Sequence, residues 1–251
     1  HDFFMVCPSH FLLNNVGQYC GVPDISRCHS CLPAIENSLT NLFDAADIVL
    51  WRSLWLKPLQ QADEIVCFSE NSRTQLLRAY PKLTDGKVIV RPHRLDYLTG
   101  SFRYPGPGSP LRVAMVGAIS QHKGSEQFVA LANAAQSRSR NIEFLVIGSL
   151  IHRYKPDNVI ETGPYLRAHL PELLRKHGVH MVLVLSICPE TFSYVTHELI
   201  QLGVPLIAYS IGAQGEAAQR YHLGKVVELG DSNMLLDTIF DFKSELDRIL
   251  P

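Results

Sequence analysis

Two carboxylates, Glu190 and Glu198, stand eight positions apart in the stretch SICPETFSYVTHELIQLGVPLIAYSIGAQGE, residues 186–216. A strand-like apolar run (181–185) precedes them, and a second (204–208) follows a Gly-Val-Pro turn. Strand, carboxylate-bearing turn, short helix and return strand make an α/β unit, and such units take ligands outside the carboxyl ends of their strands. The amides of Thr191, Phe192, Ser193 and Tyr194 would open the helix, where free N–H groups and the helix dipole attract a phosphate. One carboxylate before that helix and one along it would then grip sugar hydroxyls on either side of the phosphate. By residue type alone, the pair fits equally well a helix-start charge and a solvated glutamate.

The second constellation is VGAISQHKG, residues 116–124. A strand ends in Gly117, whose missing side chain lets a ligand approach the backbone, and Lys123-Gly124 opens the next helix. Lys123 suits a cation for pyrophosphate; the plain alternative is a solvated lysine at a helix start. Gly148 ends a further apolar run, FLVIG, and His152, Arg153 and Tyr154 follow it on a loop.

A third chemistry is concentrated near the N-terminus, where Cys7, Cys20, Cys28 and Cys31 account for four of the six cysteines. Cys28 and Cys31 form a C-x-x-C, and four thiolates make a common structural zinc site. The spacing C-x12-C-x7-C-x2-C departs from paired zinc-ribbon knuckles, so free cysteines packing a loop remain the alternative. A redox pair is disfavoured, because no thioredoxin-like strand precedes the motif. Cys67 and Cys188 are read as small buried residues.

The elements that must position these groups follow from periodicity. Residues 7–33 read as an irregular Cys-rich loop, and 34–61 as one long helix or two in series, with Ile35, Leu39, Leu42, Val49, Leu50 and Leu54 at helical spacing and Trp51 and Trp55 in the core. Short strands are expected at 64–68 and 87–91, flanking a helix that Ser69 caps and Pro81 ends. TGSFRYPGPGSP, residues 99–110, is the clearest linker, with three Pro and three Gly and no periodicity. Beyond it, strands at 111–116, 143–147, 180–185, 205–208 and 225–228 alternate with helices near 123–136, 165–177 and 192–202, and a last helix covers 232–250. That alternation predicts a doubly wound parallel sheet. The division is therefore 1–98, 99–110 and 111–251.

With these motifs in view, the chain resembles the group 1 (family 4) retaining glycosyltransferases of GT-B fold. Their E-x7-E signature sits in a stretch like P-E-x-F…E-x4-G-V-P-V-I-A, against PETFSYVTHELIQLGVPLIA here. Their donor strand reads V-G-R-x4-K-G, and this chain keeps Gly117, Lys123 and Gly124 but carries Ala118 where the arginine stands. HDFFMVCP, YCGVPD and CHSC resemble a subset of bacterial polysaccharide glycosyltransferases, as does Arg91-Pro92-His93. The resemblance implies a C-terminal domain, 111–251, that holds a nucleotide-diphosphate sugar. It implies that Glu190 binds the donor sugar, Glu198 the ribose and Lys123 the diphosphate, and that His1 faces the reacting carbon. The acceptor would be a glycan or lipid-linked glycan meeting residues 1–98, which form a partial acceptor-side domain of a longer enzyme. Transfer would retain anomeric configuration with no metal needed for catalysis. Two other functions stay open: a nucleotide-sugar-binding module without turnover, and a nucleotide-sugar epimerase of the same fold.

Composition limits the rest. The 251 residues are 46% hydrophobic with net charge −1 and no basic stripe, which gives no reason to invoke nucleic acid. No apolar run approaches the ~18–20 residues of a membrane span. The expected setting is the cytoplasm, with peripheral association at the inner face of the membrane.

Overall fold

The computed structural model describes residues 3–35, 46–105 and 108–250. The chain divides into two compact units. The first comprises residues 1–94 with 188–192 and 211–213, and the second comprises the remainder.

In the first unit, α1 (Ile25–Cys31) lies inside the segment expected to be irregular. It is only seven residues long, too short for a helical period to show. α2 (Ile48–Gln61) starts at Asp47, whose carboxylate accepts from the amides of Val49 and Leu50 at 2.8 and 3.1 Å. Its buried residues are Ile48, Trp51 and Leu59. Val49, Leu50 and Leu54 are exposed, which corrects the expected apolar face. The helix is fixed to the first loop by Trp51 Nε1–H, which donates to Phe4 O (2.8 Å), and by Arg52 Nε–H, which donates to Val6 O (3.1 Å). β1 (Ile65–Cys67) and β2 (Val88–Val90) pair in parallel, Ile65 against Val88. Between them runs α3 (Glu70–Ala79), capped by Ser69, whose hydroxyl accepts from Ser72 N–H at 3.1 Å. Phe3, Val6, Leu59, Ile65, Leu76 and Val88 close a core around this pair.

The second unit is a six-stranded parallel sheet of β3 (Arg112–Ile119), β4 (Glu143–Leu150), β5 (Val159–Glu161), β6 (Met181–Val184), β7 (Leu206–Tyr209) and β8 (Gly224–Val227). The spatial order is β5-β4-β3-β6-β7-β8. Side chains alternate across the sheet. Ala114, Val116, Leu145, Ile147, Val182 and Val184 face a core with Leu170 and Leu174 of α5 (Leu170–Lys176) and Leu199 and Leu202 of α6 (Tyr194–Leu202). On the other face, Phe144 meets Phe128 of α4 (Ser125–Ser137) edge to face, with 5.6 Å between ring centroids. Burial on both faces explains why the strands read as continuous apolar runs. The C-terminal helix α8 (Ser232–Ile249) buries Leu235, Leu236, Ile239, Phe242 and Leu246.

The doubly wound sheet is as expected, with three differences in detail. β3 runs three residues further, through Gly117 and Ala118. β5, of three residues, was not foreseen. The Gly-rich segment GAQGE, given no element from the sequence, forms α7 (Gly212–Arg220). Within the second unit Phe102 N–H donates to Leu202 O at 2.8 Å, Tyr104 Oη–H donates to Asp247 at 2.8 Å, and Leu98 is buried in the core.

Candidate functional site

A parallel sheet reverses its winding where two neighbouring strands send their connections to opposite faces, and a crevice opens outside their carboxyl ends. In chain order the six strands of the second unit lie 3-2-1-4-5-6, so the reversal falls between β3 and β6. The two candidate motifs leave the sheet at that point. The turn after β3 carries Lys123, and the loop after β6 leads to Glu190. The two exits touch within the second unit, where Ile187 N–H donates to His122 O at 3.1 Å.

Three glycines build the floor of this exit. Gly117 and Gly148 are direct partners in the β3–β4 register, with φ of +113° and +131°. A Cβ on Gly148 would stand 2.1 Å from Gly117 O, and one on Gly124 (φ +88°) would stand 2.0 Å from Leu185 O. Any side chain at these two positions displaces backbone. Gly117, by contrast, would meet nothing within 4 Å, so its surface is open to an approaching group. Lys123 is half-buried at the end of the turn Gln121–Lys123, immediately before α4. Ser120 Oγ lies 3.1 Å from His122 Nδ1 in the same turn. Ala118, at the position where the resemblance has arginine, is exposed at the strand end beside Ser149. On the loop after β4, His152 Nε2 lies 3.3 Å from Glu126, and His152 Nδ1 accepts from Tyr154 N–H at 3.1 Å.

Glu198 occupies the middle of α6 and is 2% exposed, which excludes the solvated reading. A buried carboxylate needs donors, and Tyr97 Oη–H supplies one to Oε1. Arg167 lies over the rings of both Tyr97 (5.7 Å) and Tyr194 (5.4 Å), at cation–π distance. Burial, followed by the bond to Glu198, pushes the Tyr97 phenol up to about 12, so it keeps its proton as a donor. One turn on, Gln201 Nε2–H donates to Leu98 O at 2.9 Å, which holds residues 95–98 along the same helix face. Tyr97 and Arg167 were not visible as site residues in the sequence. Tyr97 is 101 positions from Glu198, and no motif spans that distance.

Glu190, Thr191 and Phe192 belong to the first unit. Glu190 is half-buried, and its carbonyl accepts from Ala213 N–H at 3.0 Å. Ser72 Oγ–H donates to Thr191 O at 2.8 Å. Phe192 presents an edge to His93 (5.1 Å, 76°), which itself stacks on Phe68 (3.9 Å, 28°). The Arg91-Pro92-His93 turn thus converges on the glutamate-bearing segment inside that unit. Ser193 caps α6 at its N-terminus without a side-chain cap bond, and its Oγ accepts from Thr196 Oγ1–H at 2.8 Å. His1 lies outside the described residues.

The four N-terminal cysteines also belong to the first unit and are thiols. Among the described residues, no group of three or more His, Cys, Asp or Glu side chains is placed to hold a metal ion. Among the same residues no helix is long and apolar enough to cross a membrane.

Comparison with known families matches the glycosyl transferases group 1 to residues 101–245, more than half of the chain. No curated protein matches it. Three solved structures are similar. HepE from Anabaena, in complex with UDP-glucose, is 17% identical with a TM-score of 0.57 over 79% of this chain and 62% of its own. Sucrose-phosphate synthase from Thermosynechococcus elongatus is 20% identical with a TM-score of 0.57 over 79% and 57%. The lipopolysaccharide outer core galactosyltransferase WaaB is 15% identical with a TM-score of 0.53 over 82% and 55%. At these identities the likeness shows the fold, and the chain spans about three fifths of the length of these structures.

Proposed function

The chain belongs to the group 1 glycosyl transferases, and from that premise we propose that it is the donor-side portion of a retaining glycosyltransferase. The donor is a nucleotide-diphosphate sugar, and the acceptor is a glycan or lipid-linked glycan of cell-surface polysaccharide synthesis. The enzyme works in the cytoplasm, at the inner face of the membrane where its acceptor is held.

The observation that carries this reading is the glycine-floored exit of β3 at the reversal of the sheet, with Lys123 on it. The diphosphate lies over Gly117, where no Cβ intervenes, and Lys123 with the nearby amides offsets its charge. That charge grows as the sugar departs, so fixed donors aimed at it lower the barrier in the manner of an oxyanion hole. Glu198, held by Tyr97, accepts from the ribose hydroxyls, and Glu190 accepts from hydroxyls of the donor sugar. Gly148, packed directly against Gly117 O, sets the floor on which the nucleoside rests. His1 contacts the sugar near the reacting carbon. None of these roles calls for a metal at the diphosphate.

A second reading, nucleotide-sugar binding without turnover, is favoured by Ala118, which leaves the strand end without the cation that the resemblance places there. Transfer from a labelled nucleotide sugar by the full-length protein decides between them. The proposal expects transfer, with Glu190→Ala reducing it by roughly 10–100-fold, the worth of a charged hydrogen bond or two. Turnover unaffected by that substitution would remove Glu190 from the site, and tight binding with no transfer would establish the binding module.

A further inference from the structure

Cysteines 7, 20, 28 and 31 come from three separate pieces of chain, yet the first unit gathers them into one patch. Cys7 packs against both of that unit's apolar clusters, one containing Cys20 and the other built around Cys28. Cys20, Cys28 and Cys31 line a single open cleft of about 680 Å³, together with Asn14, Tyr19 and Arg27. The sulfurs are within electrostatic reach of one another. Cys20 and Cys28 act on Cys7, Cys28 and Cys31 act on Cys20, and Cys31 acts on Cys28. Cys67, in β1, interacts with Arg73 and Glu70 instead.

The turns around the first two cysteines are alike. In Cys7-Pro8-Ser9 the Ser9 backbone N–H donates to Cys7 Sγ, and in Cys20-Gly21-Val22 the Val22 N–H donates to Cys20 Sγ. Burial raises both thiols, Cys7 to about 12, and the amide two positions on offsets only part of that rise. Gly21 and Val22 hold φ of +65° and +55° to make the second turn. The third and fourth cysteines are spaced i, i+3 on α1, which sets both on one face of the helix. Arg52, fixed by its bond to Val6 O, is the cation that acts on both Cys7 and Cys28, and Arg27 lines the cleft. A four-thiolate zinc centre carries two net negative charges, and these arginines would offset them.

We propose that this patch is a structural site for one zinc ion, held by Cys7, Cys20, Cys28 and Cys31. The thiols must turn inward from their present positions to reach the ~2.3 Å of a zinc–sulfur bond. Each gives up its proton on binding, so the ion displaces as many as four protons to solvent. The metal clamps the first 35 residues and takes no part in sugar transfer. The inference stands independently of the glycosyltransferase reading.

The test begins with the full-length protein purified without chelator. Elemental analysis is expected to find one zinc per chain. Replacement with cobalt should give thiolate-to-cobalt charge-transfer absorption, with proton release on metal addition to the chelated protein. Cys28→Ser and Cys31→Ser should each remove most of the zinc, and Cys67→Ser should keep it. Zinc near zero with no cobalt charge-transfer band overturns the proposal, as does a disulfide within the patch of the purified protein. Cobalt and proton readouts use the unsubstituted protein, so a variant that fails to fold leaves the test intact.

Discussion

At the scale of single residues, the central feature is a buried carboxylate. Glu198 is buried on α6 and takes a hydrogen bond from Tyr97, with Arg167 between two tyrosine rings nearby. Removing the phenol oxygen leaves a buried charge short of a donor, so Tyr97→Phe should destabilise the protein by roughly 1–3 kcal/mol. The comparison to make is urea unfolding of Tyr97→Phe against the unsubstituted protein. An unchanged midpoint would show that Glu198 does not depend on Tyr97. At Gly148 the argument is steric. A methyl group there meets Gly117 O at 2.1 Å on a backbone with φ +131°, so Gly148→Ala should destabilise by more than about 2 kcal/mol. Gly117→Ala meets no atom within 4 Å and pays only the strain of its φ, so its thermal shift should be the smaller of the two. These glycines were legible in the sequence as strand ends. Which of them is closely packed was not, because the atom that a Cβ on Gly148 would strike belongs to the neighbouring strand β3.

Elements explain what sequence patterns resolve and what they miss. The long strands β3 and β4 and the amphipathic α8 were legible because burial imposes a sustained pattern on eight or more residues. Three-residue β5 and seven-residue α1 are too short to carry a period. In α7 the composition GAQGE suggests a turn, yet Gly215 is where the helix closes on Tyr209 O, and a Cβ there would lie 2.6 Å away. Tertiary contact overrides propensity at that point. One element connection also makes a pH prediction. His180, just ahead of β6, is fully buried, and its Nδ1 accepts from Arg112 N–H of β3 at 3.2 Å. Burial, with Lys243 adding to it, holds this imidazole down at about 4. The folded state therefore refuses a proton that the unfolded chain accepts near the ordinary value of 6.5. Stability conferred by the neutral imidazole is complete above that value and falls as pH drops from 6.5 towards 4, by up to about 3 kcal/mol. Urea midpoints measured at pH 7 and 4.5 should show a smaller drop in His180→Leu. Equal drops in the two proteins would place the titration elsewhere.

For the whole molecule, the second unit contains nearly all of the family match, and its strand order explains why the ends of β3 and β6, from which the chain goes on to Lys123 and Glu190, lie side by side. That placement was legible from strand–helix alternation once the order of strands was known, and no linear motif encodes the order. The first unit was less legible. Its two-stranded pair is short, and the residues just before its Cys-rich segment are held to α2 by hydrogen bonds between side chain and backbone across 46 and 47 positions.

The most direct measurement of the account's central claim is thermal unfolding of the full-length protein with UDP, GDP, ADP or dTDP, repeated for Lys123→Ala. A ligand that binds only the folded state must raise its midpoint, by an amount that grows with concentration over Kd. The account predicts that one nucleoside diphosphate raises the midpoint of the unsubstituted protein, and that Lys123→Ala loses most of that rise while its ligand-free midpoint stays unchanged. No shift with any of the four, or an equal shift in Lys123→Ala, would contradict a diphosphate site at the end of β3.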